Sequence, residues 1–364
     1  MRHLLIAIMV ALVAGCSRPG GTSDSSDAAG SGRGESAAAV ILNGAGATFP
    51  FPLYSKWMDV YNKAHPGVRI NYQSIGSGGG IRQITERTVD FGASDAPMTD
   101  EELAKASEPI LHVPMTLGAV ALTYNVPEVK TKLRVTADII AGIFLGEITR
   151  WNDDKIASEN QGVKLPASPI TVVHRSDGSG TTAIMTEYLS SVVPRWKEKV
   201  GAGKSVRFPV GLGAKGNEGV SGQMRTTPGS FGYAELAYAI ETGLSYASVR
   251  NMSDNYVEPT IDAITAAAAS LSAKLPEDMR AFVVNAPGAN AYPLSAFSYI
   301  LVYREQPDKR KGKVLAEFLW WAAHDGQKYG PPLHYAPLPA DAVGRVERHL
   351  KTMKAEDKVL LGSL

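Results

Sequence analysis

Three times in this chain an apolar run gives way to a turn of small, hydroxyl-bearing residues, and a helical pattern begins at once. The clearest case is Pro169 to Thr182, PITVVHRSDGSGTT. Ile170, Thr171, Val172 and Val173 read as a buried strand. Arg175 and Asp177 follow, and Gly178-Ser179-Gly180-Thr181 opens a segment with helical character from Thr182 to Val193. In the second case Val40-Ile41-Leu42 leads through Asn43-Gly44-Ala45-Gly46-Ala47-Thr48-Phe49 to Pro50, a residue suited to a first helical turn. Leu53, Trp57, Val60, Tyr61 and Ala64 then recur at helical spacing until Pro66-Gly67. In the third, Val68 to Tyr72 alternates as a strand, and Ile75-Gly76-Ser77-Gly78-Gly79-Gly80 opens a helix through Ile81, Ile84 and Arg87. Strand, turn and helix in repeated order admit few architectures, and the pattern calls for α/β layers with mostly parallel sheets.

The first N–H groups of a helix have no intrahelical partner and lie at the positive end of its dipole. A turn of this kind is therefore a ready anion seat. Arg175 adds a planar fork of donors suited to carboxylate or phosphate oxygens. Gly-Ser-Gly-Thr also occurs as an ordinary loop with a hydroxyl cap, so the stretch alone leaves the choice open. The turns around Thr48, Ser77 and Ser179 gain weight if they converge. Ligands of α/β folds bind outside the carboxyl ends of strands, where all three lie. Asp90, in Val89-Asp90-Phe91-Gly92, is the candidate acid of such a pocket.

The remaining pattern fills in the layers. Strand-like segments occupy Ile110 to Val113 and Gly118 to Tyr124, and Thr136 to Phe144 reads as a helix capped by Thr136. A loop from Val210 to Gly219 leads to a helix at Val220 to Arg225, and Tyr299 to Tyr303 is a central strand. Lys311 to His324 and Asp341 to Leu360 read as the last two helices.

At 364 residues, 44% hydrophobic, the chain is long enough for two lobes. Its 37 basic and 36 acidic residues give no electrostatic footprint for nucleic acid, so an anion must be held by local chemistry. Seven histidines without an HxxxH or HxH pairing, and a single cysteine, argue against a metal site or any other cofactor. The glycine turns lack the lysine of a P-loop and the spacing of a dinucleotide fingerprint. Ser179 does not sit in a G-x-S-x-G elbow, because Asp177 stands at the first glycine position, so the chain is not expected to be an enzyme.

The amino terminus carries its own signal. Arg2 and His3 precede an apolar run from Leu4 to Ala14, too short to span a bilayer comfortably and of the length of a signal-peptide core. It ends in Val13-Ala14-Gly15-Cys16, which resembles the lipobox of bacterial lipoproteins; a plain secretory signal with an incidental cysteine is the other reading. The expectation is a signal peptide over 1–15, a lipidated Cys16 anchored in a membrane, and a flexible linker over 16–38 rich in Ser, Gly, Ala and Asp. The folded protein then begins near Ala39, in the periplasm or at the cell surface.

Six blocks together carry a family resemblance. They are GAGATFPFPLYSKW (Gly44 to Trp57), INYQSIGSGGG with VDFGASDAPM (Ile70 to Met98), VVHRSDGSGTT (Val172 to Thr182), GLGAKGNEGV (Gly211 to Val220), GSFGYAELAYA (Gly229 to Ala239) and YPLSAFSYILVY (Tyr292 to Tyr303). In this order they resemble the phosphate-specific substrate-binding proteins of bacterial phosphate ABC transporters. The resemblance covers nearly everything after Val40. It implies a two-lobed periplasmic binding protein fold of type II, with two mixed sheets flanked by helices and the ligand in the interlobe cleft. Two crossings are implied, near His112 to Leu117 and near Ala286 to Ala291, giving one lobe over 39–113 and 288–364 and another over 114–287.

The resemblance also implies phosphate contacts at Thr48, Phe49, Ser77, Asp90, Arg175, Ser179, Gly180 and Thr181, with Asp177 holding the arginine in place. Gly78 stands where many members have a second serine, and His174 where another basic residue is common. The implied function is phosphate binding by a monomer that closes its lobes on the anion and delivers it to membrane permease subunits. Phosphate near neutral pH keeps a P–OH that a carboxylate can accept from, whereas sulfate offers acceptors alone, so Asp90 is expected to set selectivity. Other tetrahedral oxyanions are the alternative: the Asp90, Arg175 and Ser179 set argues against sulfate and molybdate and leaves arsenate open. A structural lipoprotein that kept the fold and lost the ligand is the third possibility.

Overall fold

One strand, Ile110–Asn125, carries two sheets. The sequence suggests two short strands on either side of Pro114-Met115-Thr116, yet the backbone stays extended throughout its 16 residues. The first part pairs antiparallel with Leu294–Tyr303, from Ile110 opposite Tyr303 to Ala119 opposite Ser295. The remainder, Val120 to Asn125, pairs antiparallel with Ser230–Glu235. The handover between Ala119 and Val120 lies downstream of the crossing expected at His112 to Leu117. Pro114 is accommodated because the ladder is irregular there: Ser298 faces Thr116 and Tyr299 faces Pro114, which leaves Met115 as a bulge.

The structure is a computed structural model that describes residues 39–271 and 275–362. The expected signal peptide, Cys16 and linker lie outside the described residues. On one side of the spanning strand the sheet runs Leu294–Tyr303, Phe91–Ser94, Val40–Gly46 and Val68–Ser74, the last three mutually parallel. Val283–Val284 joins this sheet against Leu294 and Ser295. On the other side it runs Ser230–Glu235, Thr171–Arg175 and Leu212–Ala214, again mutually parallel. Each sheet is thus mixed, with its parallel part farthest from the shared strand.

The helices begin where the turn chemistry indicates. Phe51–Ala64 has a proline in its first turn and buries Leu53, Tyr54, Trp57, Met58 and Tyr61. Thr136 caps Ala137–Phe144 by accepting from the Ile139 N–H, as expected. Ser179 caps Gly180–Val192 by accepting from the Thr182 N–H at 3.0 Å. Ser77–Thr85 takes the glycine run as its own first turn, and Gly216–Arg225 likewise starts on a glycine ahead of the expected Val220. Gly80 permits a close crossing, since a Cβ there would lie 2.6 Å from the Gly46 Cα.

The carboxyl-terminal helix is shorter than expected. It covers Ala340–Lys351, and Lys354–Ala355 then pairs with Lys358–Val359 in a hairpin. Glu356 and Asp357 both have positive φ, 53° and 59°, which is the backbone of a type I′ hairpin turn. Met353, Leu360 and Leu361 are buried by this reversal, so apolar residues that mimic a helical stripe pack from a hairpin instead.

Candidate functional site

The turns around Thr48, Ser77 and Ser179 meet at the carboxyl ends of their strands, as the α/β rule requires. The Gly180 N–H donates to Ser77 Oγ at 3.1 Å, and the Gly78 N–H donates to the Gly178 carbonyl at 2.9 Å. Asn217 joins the third turn to them: its backbone N–H and Nδ2 donate to Thr48 Oγ1 at 3.2 and 2.7 Å, and Nδ2 also donates to Thr181 Oγ1 at 3.1 Å. Thr48, Ser77, Arg175, Ser179, Thr181 and Asn217 are all buried. A Cβ on Gly180 would fall 2.4 Å from Ser77 Oγ and 2.6 Å from Asp95 Oδ2, so a glycine is what lets the two walls approach.

Arg175 is fixed before any anion arrives. Its Nε and Nη2 donate to the two oxygens of Asp177 at 2.8 and 2.5 Å, and Nη1 donates to Thr181 Oγ1 at 3.3 Å. Burial pushes the Asp177 carboxyl up, but the Arg175 hydrogen bonds and charge, with the Gly216 N–H at 3.0 Å, more than offset this and hold it below the usual carboxylate range. Asp177 therefore remains ionised and orients the guanidinium. Two backbone carbonyls of the first turn are also occupied: Tyr238 donates to the Thr48 oxygen at 2.7 Å and Tyr335 to the Phe49 oxygen at 2.6 Å.

Asp90 does not join this cluster. Its carboxylate accepts from Lys311 Nζ at 2.9 and 3.3 Å and from the Asn43 N–H at 2.7 Å, and its side chain is 20% exposed. The carboxylate that faces Ser77 and Gly180 belongs to Asp95, which is 2% exposed. Ser298 Oγ donates to Asp95 Oδ1 at 2.7 Å, and Ser77 Oγ donates to Oδ2 at 3.3 Å. Burial pushes the Asp95 carboxyl up to about 7, against the opposing pull of the Ser298 hydrogen bond, the Arg175 charge and the Ser77 hydroxyl.

The physical reason for the displacement is strand polarity. Asp90 precedes the strand Phe91–Ser94 and Asp95 follows it, so Asp95 alone is at the carboxyl end where the helix starts converge. That signal was present in the sequence, inside VDFGASDAPM. Asn217 and Ser298 are not singled out by the sequence pattern: Asn217 stands in a helical first turn after a glycine loop, and Ser298 in the middle of an apolar strand gives no comparable cue.

A family model, the PBP superfamily domain, matches residues 26–325. The phosphate-binding protein PstS of Xylella fastidiosa (strain Temecula1) is 43% identical over 316 residues, covering 86% of this chain and 86% of that protein. The chain belongs to the PstS family of the PBP superfamily. PstS of Pasteurella multocida is 42% identical over 321 residues, covering 88% of this chain and 92% of its own. Among solved structures, the phosphate-binding protein of Stenotrophomonas maltophilia has a TM-score of 0.65 at 19% identity, covering 85% of this chain and 94% of that one. At that identity the likeness bears on the fold, which is the α/β, two-lobed binding-protein architecture. In the PstS fold of this chain, the shared strand Ile110–Asn125 supplies the link between the two sheets.

Proposed function

We propose that this protein binds inorganic phosphate outside the cytoplasm and hands it to the permease of a phosphate ABC importer, its two lobes closing around the anion. The observation that carries this reading is a buried carboxylate, Asp95, set among donors. Arg175, the amides at the start of Gly180–Val192 and the hydroxyls of Thr48, Ser77, Ser179 and Thr181 would hold any tetrahedral oxyanion. Asp95 adds an acceptor. It takes the P–OH of phosphate and meets sulfate with repulsion and an unfilled lone pair. Sites built around such a hydrogen bond discriminate by about 10⁴ to 10⁵.

One wall of the proposed site is Thr48, Phe49, Ser77 and Asp95, the last in the part first given to Asp90. The other is Arg175, Ser179, Gly180 and Thr181, with Asp177 orienting the arginine. Strand pairing supports one lobe built on residues 40–119 with 283–303 and another built on 120–246. The protein acts as a binding protein and not as an enzyme, as a monomer taking one anion. The sequence Val13-Ala14-Gly15-Cys16 supports a lipid anchor on Cys16 after removal of a signal peptide, which places the protein in the periplasm or at the cell surface. Calorimetric titration of the purified protein tests the reading. One phosphate per chain is expected, with sulfate weaker by at least about 10⁴ at a pH well above the Asp95 pKa of about 7, where the carboxylate is ionised; comparable affinity for the two anions there would overturn it.

A further inference from the structure

The two oxygens of Asp95 are used differently. Oδ2 lies against the start of Gly180–Val192, 2.6 Å from where a Gly180 Cβ would stand, and receives the long Ser77 hydrogen bond of 3.3 Å. Oδ1 points away from that helix start to Ser298, whose hydroxyl donates at 2.7 Å. Ser298 reaches this position through the irregularity in the ladder. The register of Leu294–Tyr303 slips between Ser298 and Tyr299, while on the other flank Tyr299 is paired with Ser94. Ser298 therefore lies beside the first residue past the strand Phe91–Ser94, which is Asp95. A bulge beside a binding site re-aims a side chain in this way.

Ser298 is completely buried. Tyr54, on the helix Phe51–Ala64, has a fully buried hydroxyl with no hydrogen-bond partner among the described residues. Ser298 spends its own proton on Asp95, so the geometry fixes it as the donor of this pair.

We propose that Ser298 is the positioning residue for phosphate selectivity: its donation to Oδ1 favours the ionised Asp95 carboxylate and turns it so that Oδ2 alone is offered to the P–OH. This rests on the reading of Asp95 as the acceptor. Of the other groups that face Asp95, Arg175 favours its ionised form. Glu235, at the end of Ser230–Glu235, is pushed well above the usual carboxylate range by burial. The phenols of Tyr54, Tyr72, Tyr238 and Tyr335 are pushed up by burial as well and carry no charge near neutral pH. Removal of the Ser298 donor leaves the buried carboxylate without its shortest hydrogen bond. Asp95 then retains its proton to higher pH, and a protonated Asp95 donates, which suits sulfate.

Sulfate has no proton to gain or lose near neutral pH, so its affinity as a function of pH reports the proton on Asp95. The test is calorimetric titration with phosphate and with sulfate across a pH series for the unmodified protein, Ser298→Ala, Ser298→Thr and Asp95→Asn. In Ser298→Ala the phosphate-over-sulfate ratio at neutral pH is expected to fall by about tenfold or more, and the midpoint of the sulfate profile to rise by about one pH unit. Ser298→Thr keeps the donor and restores both. Ser298→Cys, nearly isosteric with a weak donor, carries the same test if the alanine variant does not fold, and its midpoint also rises. A ratio and a midpoint unchanged in the alanine or cysteine variant would overturn the proposal. Asp95→Asn separates the two readings. If it leaves the ratio intact, the reading of Asp95 fails; if it collapses the ratio while Ser298→Ala does not, the role of Ser298 fails alone.

Discussion

Asp90 and Asp95 flank one strand of 4 residues, Phe91–Ser94, and their surroundings have almost nothing in common. At the amino end Asp90 has a lysine at 2.9 Å, a backbone donor at 2.7 Å and access to water. Its charge is matched locally, and it has little capacity left for a ligand. At the carboxyl end Asp95 is enclosed, its near partners are the neutral hydroxyls of Ser77 and Ser298, and the charge that favours its ionisation sits on Arg175 across the junction. Burial with incomplete compensation leaves that carboxyl balanced between its two protonation states near neutral pH. The difference is one of position in the fold. Helix amino termini and strand carboxyl ends share one edge of a parallel layer, and an acid placed there faces donors and ligands, whereas its neighbour at the other end faces solvent and a side-chain cation.

Exchange of each acid for its amide is the most severe way to break that contrast. Asp95→Asn keeps the shape and replaces an acceptor oxygen with a donor, so the phosphate-over-sulfate ratio is expected to fall by at least about a hundredfold in paired calorimetric titrations. Asp90→Asn is expected to leave the ratio within about twofold. It should cost at most about 1 kcal/mol of stability, because its lysine partner is 40% exposed and solvent screens the pair. If Asp90→Asn collapsed the ratio and Asp95→Asn did not, the assignment of the two acids would be reversed.

Local signals carried much of the fold. The caps at Thr136 and Ser179, the proline near the start of Phe51–Ala64 and the alternation in Val68–Ser74 each report a preference satisfied within a few residues, and each is realised. The union of Ile110 to Val113 with Gly118 to Tyr124 into one strand was not legible, since it depends on a bulge imposed by a partner far along the chain, at Ser298 and Tyr299. The hairpin after Lys351 was hidden for a related reason. Glu356 is an unusual residue for positive φ, and it is the burial of Met353, Leu360 and Leu361 that stabilises the reversal. Arg175, Asp177, Gly180 and Thr181 sit within one contiguous motif, so their proximity follows from the local chain. Ser298 contributes through tertiary contact alone. Asp95 could have been separated from Asp90 by strand polarity, a rule that acts on direction and not on residue type.

The contrast sharpens when proton binding is followed without ligand. Asp95 has a folded-state pKa raised to about 7, above its unfolded value of 3.8, so it contributes most to stability below the unfolded value and that contribution is lost as pH rises through about 7. Denaturant unfolding of the ligand-free protein, measured relative to Asp95→Asn, is therefore expected to show a stability difference that moves against the unmodified protein between pH 4 and pH 7 and levels off above. The paired measurement is needed because His112 acts in the opposite direction. Burial and the nearby Arg280 lower its pKa to about 3, while its Nε2 accepts from the Met98 N–H at 3.0 Å. Its contribution is present above its unfolded value of 6.5 and is lost as pH falls towards 3. A pH-independent difference between the unmodified protein and Asp95→Asn would mean that Asp95 is already matched by charge, as Asp90 is.

The smallest expected effect concerns a link that holds the acceptor side to the anion seat without touching either acid. Glu102 lies shortly after Asp95 in the chain and accepts from the Thr99 N–H at 3.0 Å and from Lys204 Nζ at 2.8 Å. The Lys204 carbonyl in turn accepts from the Ser179 N–H at 2.8 Å, so one residue supports the cap of the anion-binding helix through its backbone and reaches the segment after Asp95 through its side chain. The pair is neither exposed nor enclosed, with side chains 16% and 25% accessible, which places it above a free surface ion pair and well below a buried one. Lys204→Met keeps the stem and the backbone contact and removes the charge. Phosphate affinity is expected to fall by about twofold to fivefold, mainly through faster release in stopped-flow measurements, and the deficit should shrink as salt is added. The phosphate-over-sulfate ratio should not move, because the link bears equally on either anion and makes no hydrogen bond to Asp95. A changed ratio in Lys204→Met would mean that selectivity depends on how tightly the two walls are drawn together, and the difference between Asp90 and Asp95 would then belong to the closed arrangement as a whole and not to the Asp95 carboxylate itself.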